Sequence, residues 1–276
     1  MIILYQDADI LAVDKPSGIS VHPSGKLVEE TVSDWFAKEY PESKDVGEPL
    51  LTDGKEIAKP GIVHRLDKDT SGVLLLAKNQ KTFEFLKAQF QNREVQKTYT
   101  ALVYGHVKND SGVIDAEIGR SKNDPRLRTA MRGKRGKLRE AITEYKVLER
   151  FTLHPSVPSK ARDTSPSQGR KDAGAPPANP LDVTVREMPK AEGVNEEKFT
   201  LLELHPRTGR THQIRVHMKF LNHPIVCDSL YAPKNPCPEG ITRLALHASS
   251  IEFKNLAGKS LQIESPLPEE LQRLQK

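Results

Sequence analysis

Hydrophobic residues occur along the chain in short runs bounded by glycine, proline and acidic residues. This pattern is typical of buried or half-buried β-strands. Several runs are rich in Val, Ile, Leu and Tyr, which pack well on a pleated sheet. The pattern predicts strands at residues 9–14, 61–63, 73–77, 95–104, 113–118, 141–148, 199–204 and 244–253.

Helical features appear in three segments between these runs. Thr31 and Asp34 have the spacing of a capping box, and Asn79 is a candidate N-cap for a second helix. The apolar residues of the three helices share a face at helical spacing, namely Trp35, Phe36 and Tyr40, then Phe83, Leu86 and Phe90, then Ile214, Met218 and Leu221 within residues 210–221. Strands predominate without a regular strand–helix alternation, which favours an α+β fold on a mainly antiparallel sheet.

Two polar segments interrupt this pattern. Residues 120–137 contain eight Lys or Arg residues against one acid, and residues 152–198 contain seven prolines and no aromatic residue. The second segment buries too little apolar surface to offset its chain entropy, so we expect a flexible insertion between two paired strands. Within it, residues 181–188 alternate and predict one extra strand. Neither segment has the features of a catalytic site.

The composition is that of a basic globular protein. The chain has 276 residues and a formal net charge of +5, which permits a polyanionic partner. Cys227 and Cys237 form no CxxC pair, which argues against a zinc ribbon or a disulfide framework and suits a reducing compartment. Neither a signal peptide nor a membrane-spanning run is evident, so we expect a cytoplasmic protein.

The most reactive group lies in the loop between two apolar runs. Asp67 follows His64-Arg65-Leu66 and precedes a turn-rich stretch, and a rigid sheet that presents a charged loop often carries function. Taken alone, Asp67 could equally be an ordinary turn residue, since Asp hydrogen-bonds locally in turns. Tyr99 alone could likewise be a half-buried strand aromatic.

Basic residues cluster where the third helix begins. Arg207, Arg210 and Arg215 could form a solvated helix face, but cations at a helix N-terminus oppose the helix dipole. An anion such as a phosphate or a carboxylate would satisfy them. The positions of these arginines therefore favour an anion-binding site.

Three other kinds of site do not fit the sequence. The His-Arg-Leu-Asp block is no kinase catalytic loop, because neither a Gly-rich phosphate loop nor a DFG triplet accompanies it. His205, His212 and His217 are spaced seven and five residues apart, which does not place two metal ligands on one helical face. No dinucleotide or P-loop pattern occurs, so no nucleotide cofactor is expected.

Five blocks of the sequence together resemble the RluA family of pseudouridine synthases. They occur in the family's order, and the resemblance covers most of the chain. The blocks are Leu11-Ala12-Val13-Asp14-Lys15-Pro16-Ser17-Gly18 with Val21-His22-Pro23, residues 61–78, residues 97–105, residues 208–217, and Arg243-Leu244-Ala245-Leu246-His247-Ala248.

The resemblance implies a cofactor-free isomerase that turns uridine in RNA into its C-glycoside, on a pseudouridine synthase fold with a catalytic cleft. Asp67 would be the nucleophile. Tyr99 would pack on the target base and remove its C5 proton, and Arg215 would pair with Asp67. Further residues that we expect to contact substrate or RNA are Arg65, His64, Arg207, Arg210 and Lys97, together with the basic segment 120–137. A uridine inside folded RNA must be flipped out, and stacking on Tyr99 would offset part of that cost.

The sequence departs from the family in two respects. Residues 152–198 replace a usually short link, and the chain starts at the catalytic domain without an S4-type domain, so we expect one domain over residues 1–276. The partner would be ribosomal or transfer RNA, the protein would be a monomer, and no metal is expected. Attack at C1′ and a glycal route both remain open, and a non-catalytic RNA-binding or chaperone protein is the alternative function.

Overall fold

The computed structural model describes residues 1–23, 29–52, 55–124, 126–153 and 197–273. The strands are β1 (Ile2–Gln6), β2 (Ile10–Lys15), β3 (Leu50–Thr52), β4 (Lys55–Ile57), β5 (Ser71–Ala77), β6 (Gln96–Tyr104), β7 (Ser111–Asp115), β8 (Ile118–Ser121), β9 (Arg128–Thr129), β10 (Lys134–Arg139), β11 (Ile142–Leu153), β12 (Glu197–Pro206), β13 (Leu246–Lys254) and β14 (Ser260–Glu264). The helices are α1 (Val32–Glu39), α2 (Gln80–Gln91), α3 (Gln213–Phe220) and α4 (Glu269–Gln272), with a short 3-10 helix at Pro41–Ser43.

Within these ranges the largest sheet has nine strands, in the order β1-β2-β5-β13-β6-β12-β11-β7, with β14 beside β13. The pairing of β5 with β13 is parallel. The pairings β1–β2, β2–β5, β13–β6, β6–β12, β11–β7 and β13–β14 are antiparallel. The predicted α+β fold with a mainly antiparallel, mixed sheet and flanking helices is confirmed.

Strand β5 lies inside the sheet and is buried along its whole length. Such a strand needs apolar residues on both faces, which explains its continuous hydrophobic run. Alternate side chains enter two cores, Val73 and Leu75 with Phe83 and Leu86 of α2, and Leu74 and Leu76 with Val32 and Phe36 of α1. The strand is therefore fixed from both sides, and the loop before it starts from a rigid base.

Gly72 allows β5 to approach β13 closely. Its φ is +111°, and a Cβ built there would lie 2.2 Å from the carbonyl oxygen of Ala248. Only glycine tolerates both the conformation and this contact. The close approach to Ala248 therefore explains why a glycine follows the Asp67 loop.

The predicted starts of the first two helices are confirmed. Thr31 accepts a hydrogen bond from the Asp34 backbone N–H, and the Asp34 carboxylate accepts one from the Thr31 N–H at 2.9 Å. Asn79 accepts a hydrogen bond from the backbone N–H of Thr82 at 3.0 Å. Both caps satisfy N–H groups that the helix itself leaves unpaired.

Two strand predictions are wrong in detail. Residues 61–63 form no strand, because Ile62 makes only an isolated bridge to Leu76. The run 113–118 is broken at residues 116 and 117, so that β7 joins the large sheet and β8 a second sheet. Strands β1 and β14 were not predicted, and the predicted strand at 181–188 lies outside the described residues.

The second sheet, which we call the basic sheet, consists of β8, β9 and β10 in the order β10-β8-β9. The three strands and the turns between them contain the described residues of the basic segment 120–137. Arg126, in one of these turns, pairs with Asp124. The other exposed cations of the strands and turns make no ion pair within the described residues, and they are Arg120, Lys122, Arg132, Arg135, Lys137 and Arg139. The charged residues of segment 120–137 show neither a helical nor a strand period in the sequence. The structure nevertheless forms a small sheet with a cationic surface there.

The prediction for the cysteines is wrong. Cys227 and Cys237 form a disulfide, with their Cα atoms 5.2 Å apart. The ten-residue separation did not suggest this pairing, because the approach of the two residues depends on how the loop between them folds back. Among the described residues, no helix is both long and apolar enough to cross a bilayer.

Candidate active site

A cleft of about 530 Å³ opens beside the loop that carries Asp67. Its walls come from four parts of the chain: the Asp67 loop, the end of α2, the start of β6, and the segment that leads into α3. Its lining includes the expected residues His64, Arg65, Asp67, Lys97, Tyr99, Arg207, Arg210 and Arg215. The structure thus brings all the candidate site residues of the sequence to one cleft.

The backbone around Asp67 is held by the turn that follows β2. The fully buried ammonium group of Lys15 donates hydrogen bonds to the carbonyl oxygens of Pro16, Ile19 and Lys68, at 2.8, 2.8 and 2.9 Å. Burial lowers the pKa of Lys15 to about 8, although the charges of Asp69 and Asp67 oppose this. The carbonyl group next to Asp67 is therefore anchored to the sheet.

His64 fixes the other side of the same loop. Its Nε2 accepts a hydrogen bond from the backbone N–H of Leu75 at 2.9 Å, and its ring stacks on Phe90 with centroids 4.7 Å apart. Burial, with a contribution from Lys97, lowers the pKa of His64 to about 3. His64 is therefore a neutral ring that ties the loop to β5, and this Nε2 is not free to bind RNA.

Arg215 is oriented by a carboxylate that the sequence analysis did not identify. Its Nε and Nη2 donate to Asp228 at 2.8 and 2.7 Å, whereas its Nη1 lies 3.7 Å from Oδ2 of Asp67. The side chains of Arg215 and Asp228 are 3% and 0% exposed, and that of Asp67 is 17% exposed. One edge of the guanidinium is thus fully bonded to Asp228, and the remaining nitrogen faces Asp67.

The electrostatics of this triad keep the guanidinium charged. Burial opposes the charge, but the hydrogen bonds and charge of Asp228, and then the charge of Asp67, raise the pKa of Arg215. A buried arginine requires a carboxylate partner. The chain contains 37 Asp and Glu residues, so the sequence alone does not show that Asp228 is the partner of Arg215.

Tyr231 and His212 complete the floor around Arg215. The guanidinium of Arg215 lies over the Tyr231 ring, 5.2 Å from its centroid. The Tyr231 hydroxyl lies 2.9 Å from Nδ1 of His212 and accepts a hydrogen bond from the Arg128 backbone N–H at 3.1 Å. The last contact joins the basic sheet to the catalytic side of the cleft.

Tyr99 forms a half-buried wall of the cleft near the middle of β6. Burial, followed by the negative charge of Asp67, raises the pKa of its phenol above the usual value. The phenol is therefore neutral at pH 7. A ring in this position suits packing against a flat nucleobase.

Some cations at the rim already pair with carboxylates or donate hydrogen bonds to backbone carbonyls. Arg207 donates two hydrogen bonds to Glu144, each of 2.9 Å, and Arg93 pairs with Glu140 at 2.6 Å. Arg210 donates from Nε to the carbonyl oxygen of Glu140 at 2.9 Å. The expected anion-binding role of Arg207 would therefore require RNA to compete with Glu144.

Two other rim cations have no carboxylate partner within the described residues. Lys97 is half-buried and makes no ion pair there, and burial lowers its pKa to about 8. Arg65 is exposed, and its Nη1 lies 3.4 Å from Nε2 of His22. Cations placed in this way are suited to an anionic ligand.

Among the described residues, the histidines near α3 are not grouped as metal ligands. His217 is buried, with its ring nitrogens 2.8 Å from the Thr143 hydroxyl and 3.1 Å from the Ala116 carbonyl oxygen. Across the described ranges, no group of three or more His, Cys, Asp or Glu residues is arranged to hold a metal ion. The chemistry that the cleft offers is thus that of a carboxylate, a guanidinium, a phenol and an imidazole.

Comparison with known proteins agrees with this geometry. The family model described as RNA pseudouridylate synthase matches residues 9–220. An uncharacterised RNA pseudouridine synthase of Bacillus subtilis is 35% identical over 99% of this chain and 71% of that protein. A ribosomal large subunit pseudouridine synthase D of Borreliella burgdorferi is 33% identical over 91% of this chain and 60% of that protein.

A solved structure supports the fold. The human RNA pseudouridylate synthase domain containing 1 superposes with a TM-score of 0.63 at 22% identity, covering 96% of this chain and 82% of that one. At this identity the likeness concerns the architecture alone.

Proposed function

This chain belongs to the RluA-type family of RNA pseudouridylate synthases, and from that premise we propose that it converts uridine in RNA into pseudouridine with Asp67 as the nucleophile. The observation that carries the assignment is the partly exposed Asp67 carboxylate, 3.7 Å from a buried guanidinium in a cleft of nucleotide size. At this distance the two opposite charges attract each other.

The reaction rearranges bonds without any net loss of atoms. The C1′–N1 bond breaks, and its electron pair moves onto the uracil ring. Asp67 stabilises the sugar, either by bonding to C1′ or by taking the C2′ proton to give a glycal, and covalent assistance of this kind divides one difficult step into easier ones. The uracil turns, and C5 bonds to C1′ as the Asp67–C1′ bond breaks or, on the glycal route, as Asp67 returns the proton to C2′. The C5 proton then leaves, and N1 gains a proton from water.

Tyr99 holds the base during this turn and removes the C5 proton. Because its phenol is neutral at pH 7, the oxygen takes the C5 proton only as its own proton leaves. The Asp67 carboxylate, whose charge acts on this phenol, is the acceptor for that second proton. General base catalysis of this kind contributes about 10²–10⁴-fold to a rate.

RNA affinity comes from the cations that lack carboxylate partners. Lys97 and Arg65 contact the flipped nucleotide and its neighbours at the rim, and the basic sheet contacts phosphates farther along the strand. Arg210 is available at the same rim. Arg207 contributes only after release from Glu144, and His64 supports the loop instead of binding RNA through Nε2.

Ribosomal RNA is the substrate class that we favour over transfer RNA. The support is the similarity to the Borreliella protein, whose name assigns it to the large ribosomal subunit. We also propose that the protein acts as a monomer, since one chain supplies the whole cleft, and that it works in the cytoplasm, where such RNA is modified. The disulfide disagrees with a reducing compartment, so the location rests on the substrate alone.

A site-resolved map of pseudouridine tests this proposal. Total RNA from a deletion strain and from its parent is treated with carbodiimide, and reverse-transcription stops are compared. We expect one or more stops to disappear in the deletion strain and to return with the wild-type gene but not with Asp67→Asn. Identical maps would refute the enzyme, and full rescue of growth by Asp67→Asn would favour a non-catalytic RNA-binding protein.

A further inference from the structure

His212 violates two local rules of protein structure. It occupies the N-cap position of α3 in the left-handed conformation, with φ 56° and ψ 23°, and its side chain does not cap the helix. The next residue, Gln213, bonds back to the loop before the helix, where its Oε1 accepts from the Arg210 N–H at 3.0 Å. Such departures concentrate at functional sites, where the surrounding structure holds them in place.

The hydrogen bonds of Tyr231 fix the tautomer of the His212 ring. The Arg128 N–H can only donate, so the Tyr231 oxygen accepts from it. The phenolic proton then has one acceptor among the described residues, Nδ1 of His212 at 2.9 Å. The opposite assignment would leave a buried hydroxyl proton without an acceptor, which is unfavourable. A neutral ring that accepts at Nδ1 carries its own proton on Nε2.

The surroundings also keep the ring neutral. Burial lowers the pKa of His212, and although the charges of Asp67 and Asp228 oppose this, those of Arg215 and Arg128 reinforce it. Nε2 makes no hydrogen bond to any described residue, while the ring lines the same cleft as Asp67. The cleft therefore contains a neutral N–H donor that lacks a partner.

We infer that the Nε2–H group of His212 donates a hydrogen bond to a carbonyl oxygen of the target uracil. As the C1′–N1 bond breaks, the electron pair spreads over N1 and the two carbonyl oxygens, so the hydrogen bond strengthens in the transition state. No proton is transferred in this step. A neutral donor suits this oxygen, whereas the exposed cations of the rim suit phosphates.

This inference rests on the proposed function and adds a substrate contact to it. Three variants separate the donor from the fold. His212→Asn tolerates the left-handed backbone, and its amide takes the place of Nδ1 but does not reach the position of Nε2. His212→Gln returns an amide N–H near the position of Nε2. Tyr231→Phe keeps the aromatic ring under Arg215 but removes the hydroxyl that fixes the tautomer of His212.

The measurement is tritium release under single-turnover conditions. The substrate is total RNA from the deletion strain, labelled with [5-³H]uridine, and filter binding gives the affinity of each variant for it. We expect His212→Asn to slow release about 100-fold while affinity stays within about twofold, as for removal of one preorganised donor. We expect His212→Gln to be about tenfold faster than His212→Asn.

The Tyr231 variant supplies an independent test if His212→Asn does not fold, as monitored by circular dichroism. Tyr231→Phe should slow release about tenfold in the wild-type background and have no further effect in His212→Asn, because the two residues act as a unit. A folded His212→Asn protein within about threefold of the wild-type rate would overturn the inference, as would equal effects of Tyr231→Phe in both backgrounds. Absence of release by the wild-type protein would instead refute the proposed function.

Discussion

The interior of the cleft and the basic sheet hold their charges in opposite ways. Arg215 and Asp228 are 3% and 0% exposed and share two hydrogen bonds, so their geometry is set before any substrate arrives. Arg135 and Lys137 of the basic sheet are exposed and make no ion pair within the described residues. Buried charges therefore determine the rate, and exposed charges determine affinity and its dependence on salt.

Removal of the Tyr99 phenol should slow the reaction strongly, and only the loss of Asp67 is expected to slow it more. Tyr99→Phe keeps the packing surface but removes the group that takes the C5 proton, so we expect tritium release to fall by about 10²–10⁴-fold. The RNA affinity should stay close to the wild-type value. Tyr99→Leu is the matched control, and it should lose affinity as well, because it cannot stack on a base. Turnover by Tyr99→Phe at the wild-type rate would contradict the base role.

The buried ion pair of Asp228 with Arg215 should contribute more to stability than the exposed pair of Glu144 with Arg207. Asp228→Asn removes the carboxylate that is hydrogen-bonded to the buried guanidinium and leaves only Asp67 at 3.7 Å, so we expect the free energy of unfolding to fall by about 3–5 kcal/mol and the activity to fall with it. Glu144→Gln breaks the exposed pair with Arg207 and should cost no more than about 1 kcal/mol. Urea denaturation measures both. Equal effects would show that burial does not separate the two pairs.

The basic sheet should change affinity without changing the rate. Replacing both Arg135 and Lys137 by Gln removes two phosphate contacts, so we expect RNA affinity to fall about tenfold and the slope of log affinity against log salt to lose about two units. Arg126→Gln is the control, because Arg126 already pairs with Asp124 at 2.7 Å. If the Arg135 and Lys137 double variant changed the single-turnover rate at saturating protein, the basic sheet would not act on affinity alone.

Lys97 lines the cleft and is half-buried, and its expected effect is the smallest. Its pKa of about 8 means that the ammonium is charged at pH 7 and loses its charge as the pH rises. Bound RNA favours the charged form, so we expect affinity to fall several-fold between about pH 7 and 9. His64, with a pKa of about 3, does not titrate in this window.

Two variants check this assignment to Lys97. Lys97→Arg should keep the affinity and lose the pH dependence, since its guanidinium stays charged, and Lys97→Met should lose both. The measurement is filter binding at fixed ionic strength. A pH dependence that persists in Lys97→Met would assign it to another group.

The sequence predicted well those features that local patterns encode. The capping residues Thr31 and Asn79 and the apolar run of β5 depend on neighbours within a few positions, and all are confirmed. The run 113–118 was read as one strand because apolar periodicity does not mark the break that sends β8 into a second sheet. Edge strands such as β1 have mixed exposure and give a weak pattern.

The candidate site shows the same limit. The motif blocks predicted that Asp67, Tyr99 and Arg215 belong to one site, and all three line the same cleft. Asp228 was missed because its bond to Arg215 joins residues thirteen positions apart through a loop fold, not through a periodic spacing. His64 was expected to bind RNA because it lies beside Arg65 and Asp67 in the motif, whereas its ring nitrogen accepts from the sheet backbone.

The most direct test of the account is the single-turnover rate of the purified Asp67→Asn protein on RNA from the deletion strain. The amide keeps the shape and the polarity of the side chain but is a far weaker nucleophile. The account predicts a loss of about 10⁴-fold or more in tritium release, with RNA affinity and unfolding free energy close to those of the wild type. Release within about tenfold of the wild-type rate would contradict the role of Asp67 and, with it, the proposed mechanism.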